Sequence, residues 1–97
     1  MKVHEAIAAV LREQGVDTVF GLVGDANLYM MDAFRREGGR FVAVANETGA
    51  LLAAAGHQAI SGRTGVASVT HGPGLANTVT SLYETVKHRV PAVLIAG

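Results

Sequence analysis

Four short runs of β-forming residues, each separated from the next by a stretch of helical periodicity, constrain this chain more than anything else in it. The runs are Thr18-Val19-Phe20-Gly21-Leu22-Val23, Phe41-Val42-Ala43-Val44, Val66-Ala67-Ser68-Val69 and Ala92-Val93-Leu94-Ile95. Near-continuous apolar runs rich in branched residues suit strands buried on both faces. Strands alternating with helices over short loops predict an α/β fold, a parallel sheet with right-handed crossovers and helices on both faces.

The intervening stretches read as helices. Val3, Ile7, Val10 and Leu11 recur at helical spacing ahead of Gly15, which predicts an amphipathic helix over about 3–14. Asn27 can cap the second, whose inward face would carry Leu28, Met31 and Phe34 before Gly38-Gly39 stop it. The third runs from Glu47 to about Ile60 and is built of small residues that permit close backbone approach. Leu75, Val79, Leu82 and Val86 form the expected buried stripe of a fourth. The sequence does not fix the order of strands.

A chain of 97 residues can bury one core, and 49% hydrophobic against 16% charged residues is an apolar balance for that size. That balance predicts a fragment of a larger domain or an obligate oligomer. Eight basic and eight acidic residues cancel, and no basic cluster is interleaved with aromatics, so no nucleic acid is expected as a partner. Without cysteine there is no disulfide or thiolate metal site, and no apolar run approaches the roughly 20 residues of a membrane span. Met1-Lys2-Val3-His4-Glu5 lacks an apolar signal core, which predicts a cytoplasmic protein.

In open parallel sheets, ligands bind beyond the carboxyl ends of the strands. The loops expected there are Gly24-Asp25-Ala26-Asn27, Ala45-Asn46-Glu47 and Thr70-His71-Gly72-Pro73-Gly74, and they hold the polar clusters of the chain. Glycines in the last of these would let backbone approach a ligand closely, although Pro73 also suits the first position of a helix. Glu47 taken alone reads first as an acid favoured by the dipole of a helix's first turn.

The segment from Asn46-Glu47-Thr48-Gly49-Ala50 to Gly56, followed by Ser61-Gly62-Arg63-Thr64-Gly65-Val66, resembles the glutamate-bearing helix of thiamine diphosphate-dependent enzymes. Gly72-Pro73-Gly74-Leu75-Ala76-Asn77 is similar to that family's Gly-Pro-Gly-x-x-Asn turn, and Phe20-Gly21 through Asp25-Ala26-Asn27-Leu28 to its first loop. The resemblance covers essentially all 97 residues, with several motifs in order.

It implies the first part of a pyrimidine-binding domain, with the middle and diphosphate-binding domains absent. It also implies that Glu47 is catalytic, hydrogen-bonding the aminopyrimidine ring of the cofactor, and that Gly72, Pro73, Gly74 and Asn77 line that ring. Asp25 matches an acidic position near the substrate, and His71 lies where some members carry a catalytic histidine. Asn46 stands where the family often has histidine, which leaves the reaction type open.

The implied activity is decarboxylation or carboligation of 2-oxo acids, acetolactate synthase-like, with simple decarboxylation as the alternative. The implied cofactors are thiamine diphosphate and Mg2+, with no metal ligands in this chain and FAD left open. The implied assembly is a homodimer or tetramer with the cofactor between subunits. Two rivals compete with this reading. A nucleotide-binding module fails because position 77 is Asn where a third glycine is needed and no Gly-x-x-x-x-Gly-Lys-Ser/Thr run exists. A non-catalytic dimerisation module would use the small-residue helix alone.

Overall fold

The computed structural model describes Met1–Gly97 throughout. In chain order the elements are α1 (Val3–Glu13), β1 (Thr18–Gly21), α2 (Leu28–Arg36), β2 (Arg40–Ala43), α3 (Glu47–Ser61), β3 (Gly65–Val69), α4 (Pro73–Ala76), α5 (Val79–Lys87) and β4 (Ala92–Ala96). The four strands form one all-parallel sheet in the order β2-β1-β3-β4. This is the α/β architecture expected, and the order now places a switch point between β1 and β3. From β1 the chain steps outward to β2 and then returns past β1 to β3. With right-handed crossovers, that reversal puts α2 and α3 on opposite faces.

Strand periodicity divides the core accordingly. Val19, Val66 and Ile95 point to the α1/α2 face, where Ala8, Met30, Met31 and Phe34 pack. Phe20, Ala67 and Leu94 point to the other face, against Ala50, Leu51 and Ala54 of α3. Two glycines permit this packing. A Cβ at Gly21 would lie 2.0 Å from the Ser68 carbonyl oxygen across the β1/β3 pair, and one at Gly65 would lie 2.2 Å from the Ala54 carbonyl oxygen. Side chains of any size are therefore excluded at both.

The fourth helix departs from expectation. It is broken at Asn77-Thr78 into α4 and α5, and its apolar stripe faces outward, with Leu75, Val79, Leu82 and Val86 between 37% and 68% exposed. Thr78, Ser81 and Thr85 face α3 instead. Their hydroxyls bond carbonyls one turn back along the chain, Thr78 to Leu75 across the break and Ser81 and Thr85 to Thr78 and Ser81, and no buried side-chain polar atom lacks a partner. Small polar side chains that satisfy themselves locally can line a close helix contact. Leu28 likewise faces solvent while Met30 takes the inward position of α2, and Val3 and Val10 of α1 are exposed. No helix is long and apolar enough to cross a membrane.

At the amino ends of the strands, Asp17 ties β1 to the far end of α3. Its carboxylate meets His57 Nε2 at 3.2 Å and Arg63 Nη1 at 3.5 Å, and the His57 ring also packs on Phe20. Burial pushes the Asp17 carboxyl up, but the His57 hydrogen bond, the Arg63 charge and the Thr18 hydroxyl together hold it below its ordinary value. A depressed carboxylate contributes stability in full above its unfolded value, and loses it as pH falls through the folded one. Asp17→Asn is therefore expected to flatten the acid limb of the stability profile below about pH 4. At neutral pH the change should cost under about 1 kcal/mol, because the pair is partly solvated. Urea unfolding across pH 3–7 tests this; an unchanged acid limb would contradict it.

Candidate active site

The loops after β1, β2 and β3 meet at the carboxyl edge of the sheet, where the switch point opens. Glu47 is the first residue of α3. Asn46 caps that helix, its Oδ1 accepting from the Thr48 backbone N–H at 2.8 Å. The loop in front is thereby fixed, and the half-buried Glu47 carboxylate stands at the positive end of a 15-residue helix.

Asn77 reaches Glu47 across 30 positions of sequence. Its Nδ2 donates to Glu47 Oε1 at 3.2 Å, while the Thr48 hydroxyl donates to the Asn77 carbonyl. These two bonds clamp the start of α3 to the break between α4 and α5, with the Glu47 carboxylate facing the Gly72-Pro73-Gly74 turn. A Cβ at Gly74 would sit 2.6 Å from Thr70 Oγ1, so glycine is required there by Thr70, and 3.8 Å from Glu47 Oε2, which places the carboxylate beside bare backbone. Gly72 adopts φ 66° and ψ −123°, a conformation that side chains resist, with nothing within 4 Å of where its Cβ would be. Pro73 opens the short α4. Together these residues make a bare-backbone cradle next to a carboxylate whose Oε2 makes no hydrogen bond within the chain.

Asp25 and His71 lie in loops at the same edge. Both are exposed, and neither side chain engages Glu47. Asn27, expected to cap α2, does not; it is fully buried and serves as a strut inside the first loop. His57 and His88 stand apart from the site, the first beside Asp17 and the second with Nδ1 3.1 Å from the Glu84 carbonyl at the end of α5. No cavity encloses Glu47. The largest, about 690 Å³, lies at the opposite edge between the end of α2 and the start of β2 and is lined by Arg35, Arg36 and Arg40. On this chain alone the candidate site is an open ledge.

Sequence reading missed Thr48, Ser68 and Thr70. Thr48 was visible beside Glu47, but its partner is 29 positions away. Thr70 gave no signal of its own, because its importance comes from the two glycines, 24 and 74, that close on it from different loops.

The family described as "Thiamine pyrophosphate enzyme, N-terminal TPP binding domain" matches residues 1–97. The acetolactate synthase isozyme 2 large subunit of Escherichia coli (strain K12) is 38% identical over 91 residues, covering 94% of this chain and 17% of that protein. The acetolactate synthase of Mycobacterium bovis is 40% identical over 94 residues, 96% of this chain and 15% of the relative. The 2-hydroxyacyl-CoA lyase 2 of Homo sapiens is 41% identical over 93 residues, again 96% and 15%. The chain thus spans 15–17% of the length of these curated relatives. On the match across all 97 residues, together with the parallel α/β sheet, the chain belongs to the thiamine pyrophosphate enzyme family, as its N-terminal TPP binding domain.

Proposed function

We propose that these residues form the first part of the pyrimidine-binding domain of an enzyme that decarboxylates and couples 2-oxo acids, as the names of its acetolactate synthase relatives suggest. The observation that carries the reading is the Glu47 carboxylate, with Oε1 held by Asn77 and Oε2 turned toward the glycine cradle. When bound, thiamine diphosphate supplies an electron sink for the carbon that loses carboxylate.

The chain's own residues do the rest. Glu47 Oε2 would hold a proton shared with the ring nitrogen of the aminopyrimidine, and the Gly72-Pro73-Gly74 backbone would lie against the flat face of that ring. Asn77 keeps the carboxylate from rotating away, and Asn46 holds the helix start on which it rides. Asp25 and His71 border the space where substrate would enter. The family resemblance assigns Mg2+ and the diphosphate to a diphosphate-binding domain, with this chain supplying the aminopyrimidine side of the site.

A homodimer or tetramer, with the cofactor between subunits, is consistent with the open ledge and the outward apolar face of α5. Val79, Leu82, Tyr83 and Val86 line an apolar groove there that a second subunit would cover. Leu82→Glu with Val86→Glu in the full-length protein is expected to leave the fold intact and weaken self-association at least about tenfold. Sedimentation velocity over a concentration series reads this; an unchanged dimer would remove α5 from the interface.

The test of the activity is incubation of the full-length protein with pyruvate, Mg2+ and thiamine diphosphate, with products followed by NMR. Cofactor-dependent formation of a carbon–carbon coupled product supports carboligation, and free aldehyde alone supports simple decarboxylation. Cleavage of a 2-hydroxyacyl-CoA is a second reading, favoured by the 41% identity to the human lyase. No thiamine-dependent turnover of either substrate class would contradict the proposal.

A further inference from the structure

Asn27 is fully buried beneath the first loop and uses its whole amide. Its Oδ1 accepts from the Gly24 backbone N–H at 2.9 Å, and its Nδ2 donates to the Leu22 carbonyl at 3.0 Å and to Ser68 Oγ at 2.9 Å. Ser68, also fully buried, lies in β3, and its carbonyl accepts the Leu22 N–H at 3.2 Å. One residue pair thus binds the Gly24-Asp25 loop to the strand that ends in the Gly72-Pro73-Gly74 turn. Thr70 completes the joint. Its methyl occupies the space a Cβ at Gly24 would need, 2.6 Å away, and its hydroxyl the space a Cβ at Gly74 would need, also 2.6 Å away.

The two loops therefore cannot move independently without breaking a buried hydrogen bond or pulling Thr70 from between two glycines. Glu47 hangs on a separate joint, through Asn77 and Thr48. The edge of the sheet is divided into a clamp on the carboxylate and a clamp on the Asp25 loop.

We propose that Asn27 and Ser68 are positioning residues that set the Asp25 loop against the glycine turn. They thereby govern productive binding of the 2-oxo acid rather than activation of the cofactor. This rests on the function proposed above. A simply structural role would lower stability and leave kinetics of the folded enzyme untouched, whereas a positioning role separates two readouts.

The test uses full-length Asn27→Ala, Ser68→Ala and the double variant, saturated with thiamine diphosphate and Mg2+. Hydrogen exchange at the thiazolium carbon should stay within about twofold of the parent, while KM for pyruvate rises about tenfold, the scale on which small misplacements act. The double variant should be no worse than the worse single one, because both act through one bond. Folded variants with unchanged KM and exchange would overturn the inference, as would exchange falling in step with turnover. Should Asn27→Ala not fold, Ser68→Ala, which removes one hydroxyl, decides alone. A parent without cofactor-dependent exchange would overturn the underlying function itself, a result distinct from intact exchange with an unmoved KM.

Discussion

Glu47→Gln in the full-length protein is expected to lower thiamine-dependent turnover by about 10²–10⁴-fold, the usual span for loss of a placed acid–base group. The substitution is nearly isosteric. Its carbonyl oxygen can still accept from Asn77 Nδ2, now 3.2 Å from Glu47 Oε1, and Asn46 still caps α3. What changes is the second atom, an oxygen beside Gly74 that becomes an NH₂ donor and can no longer share a proton with a ring nitrogen. Unfolding temperature should move little, since the carboxylate is half-buried and makes no ion pair. Steady-state rates with pyruvate, beside a thermal melt, read both halves. Near-normal turnover in a folded variant would remove Glu47 from the chemistry.

Gly21→Ala is expected to cost about 3 kcal/mol or more, at the upper end for overpacking. A Cβ there would lie 2.0 Å from the Ser68 carbonyl oxygen, 3.0 Å from its carbon and 3.3 Å from its nitrogen. These are backbone atoms of the paired strand, held by the β1/β3 register in which Gly21 faces Ser68, so no side-chain rotation relieves the clash. The strands would have to part at the switch point. They would also disturb Ser68, which anchors Asn27. A domain of this size has roughly 5–15 kcal/mol in total, so the loss would show as a steep fall in urea midpoint. An unchanged midpoint would mean that β1 and β3 are not as close as described.

Local pattern made much of this fold legible. Val19 and Phe20, or Val66 and Ala67, alternate between faces as strand period requires, and Gly15, Gly38 and Gly62 end helices with φ of 84°, 89° and 74°. Strand order was hidden because it depends on which crossover reverses direction. The outward stripe of α5 misled for a different reason. Helical periodicity alone points apolar residues inward, but Thr78, Ser81 and Thr85 bury their hydroxyls on carbonyls one turn back along the chain and free Val79, Leu82 and Val86 to face out.

The site divides in the same way. Glu47, Gly72, Pro73 and Gly74 stood out as residue types in loops before helices, and the structure brings Glu47, Gly74 and Asn77 together. Asn27 looked like a helix cap because Asn before an apolar run usually is one. Its partner Ser68 is 41 positions away, a distance at which spacing carries no information. Asp25 and His71 gained no neighbour that distinguishes them from solvated loop residues.

The most direct test of the central claim is hydrogen–deuterium exchange at the thiazolium carbon of thiamine diphosphate bound to the full-length protein, followed by NMR for the parent and for Glu47→Gln. The account predicts rapid exchange in the parent and exchange slowed by at least about 10²-fold in the variant, with cofactor still bound. Equal exchange in the two proteins would contradict it.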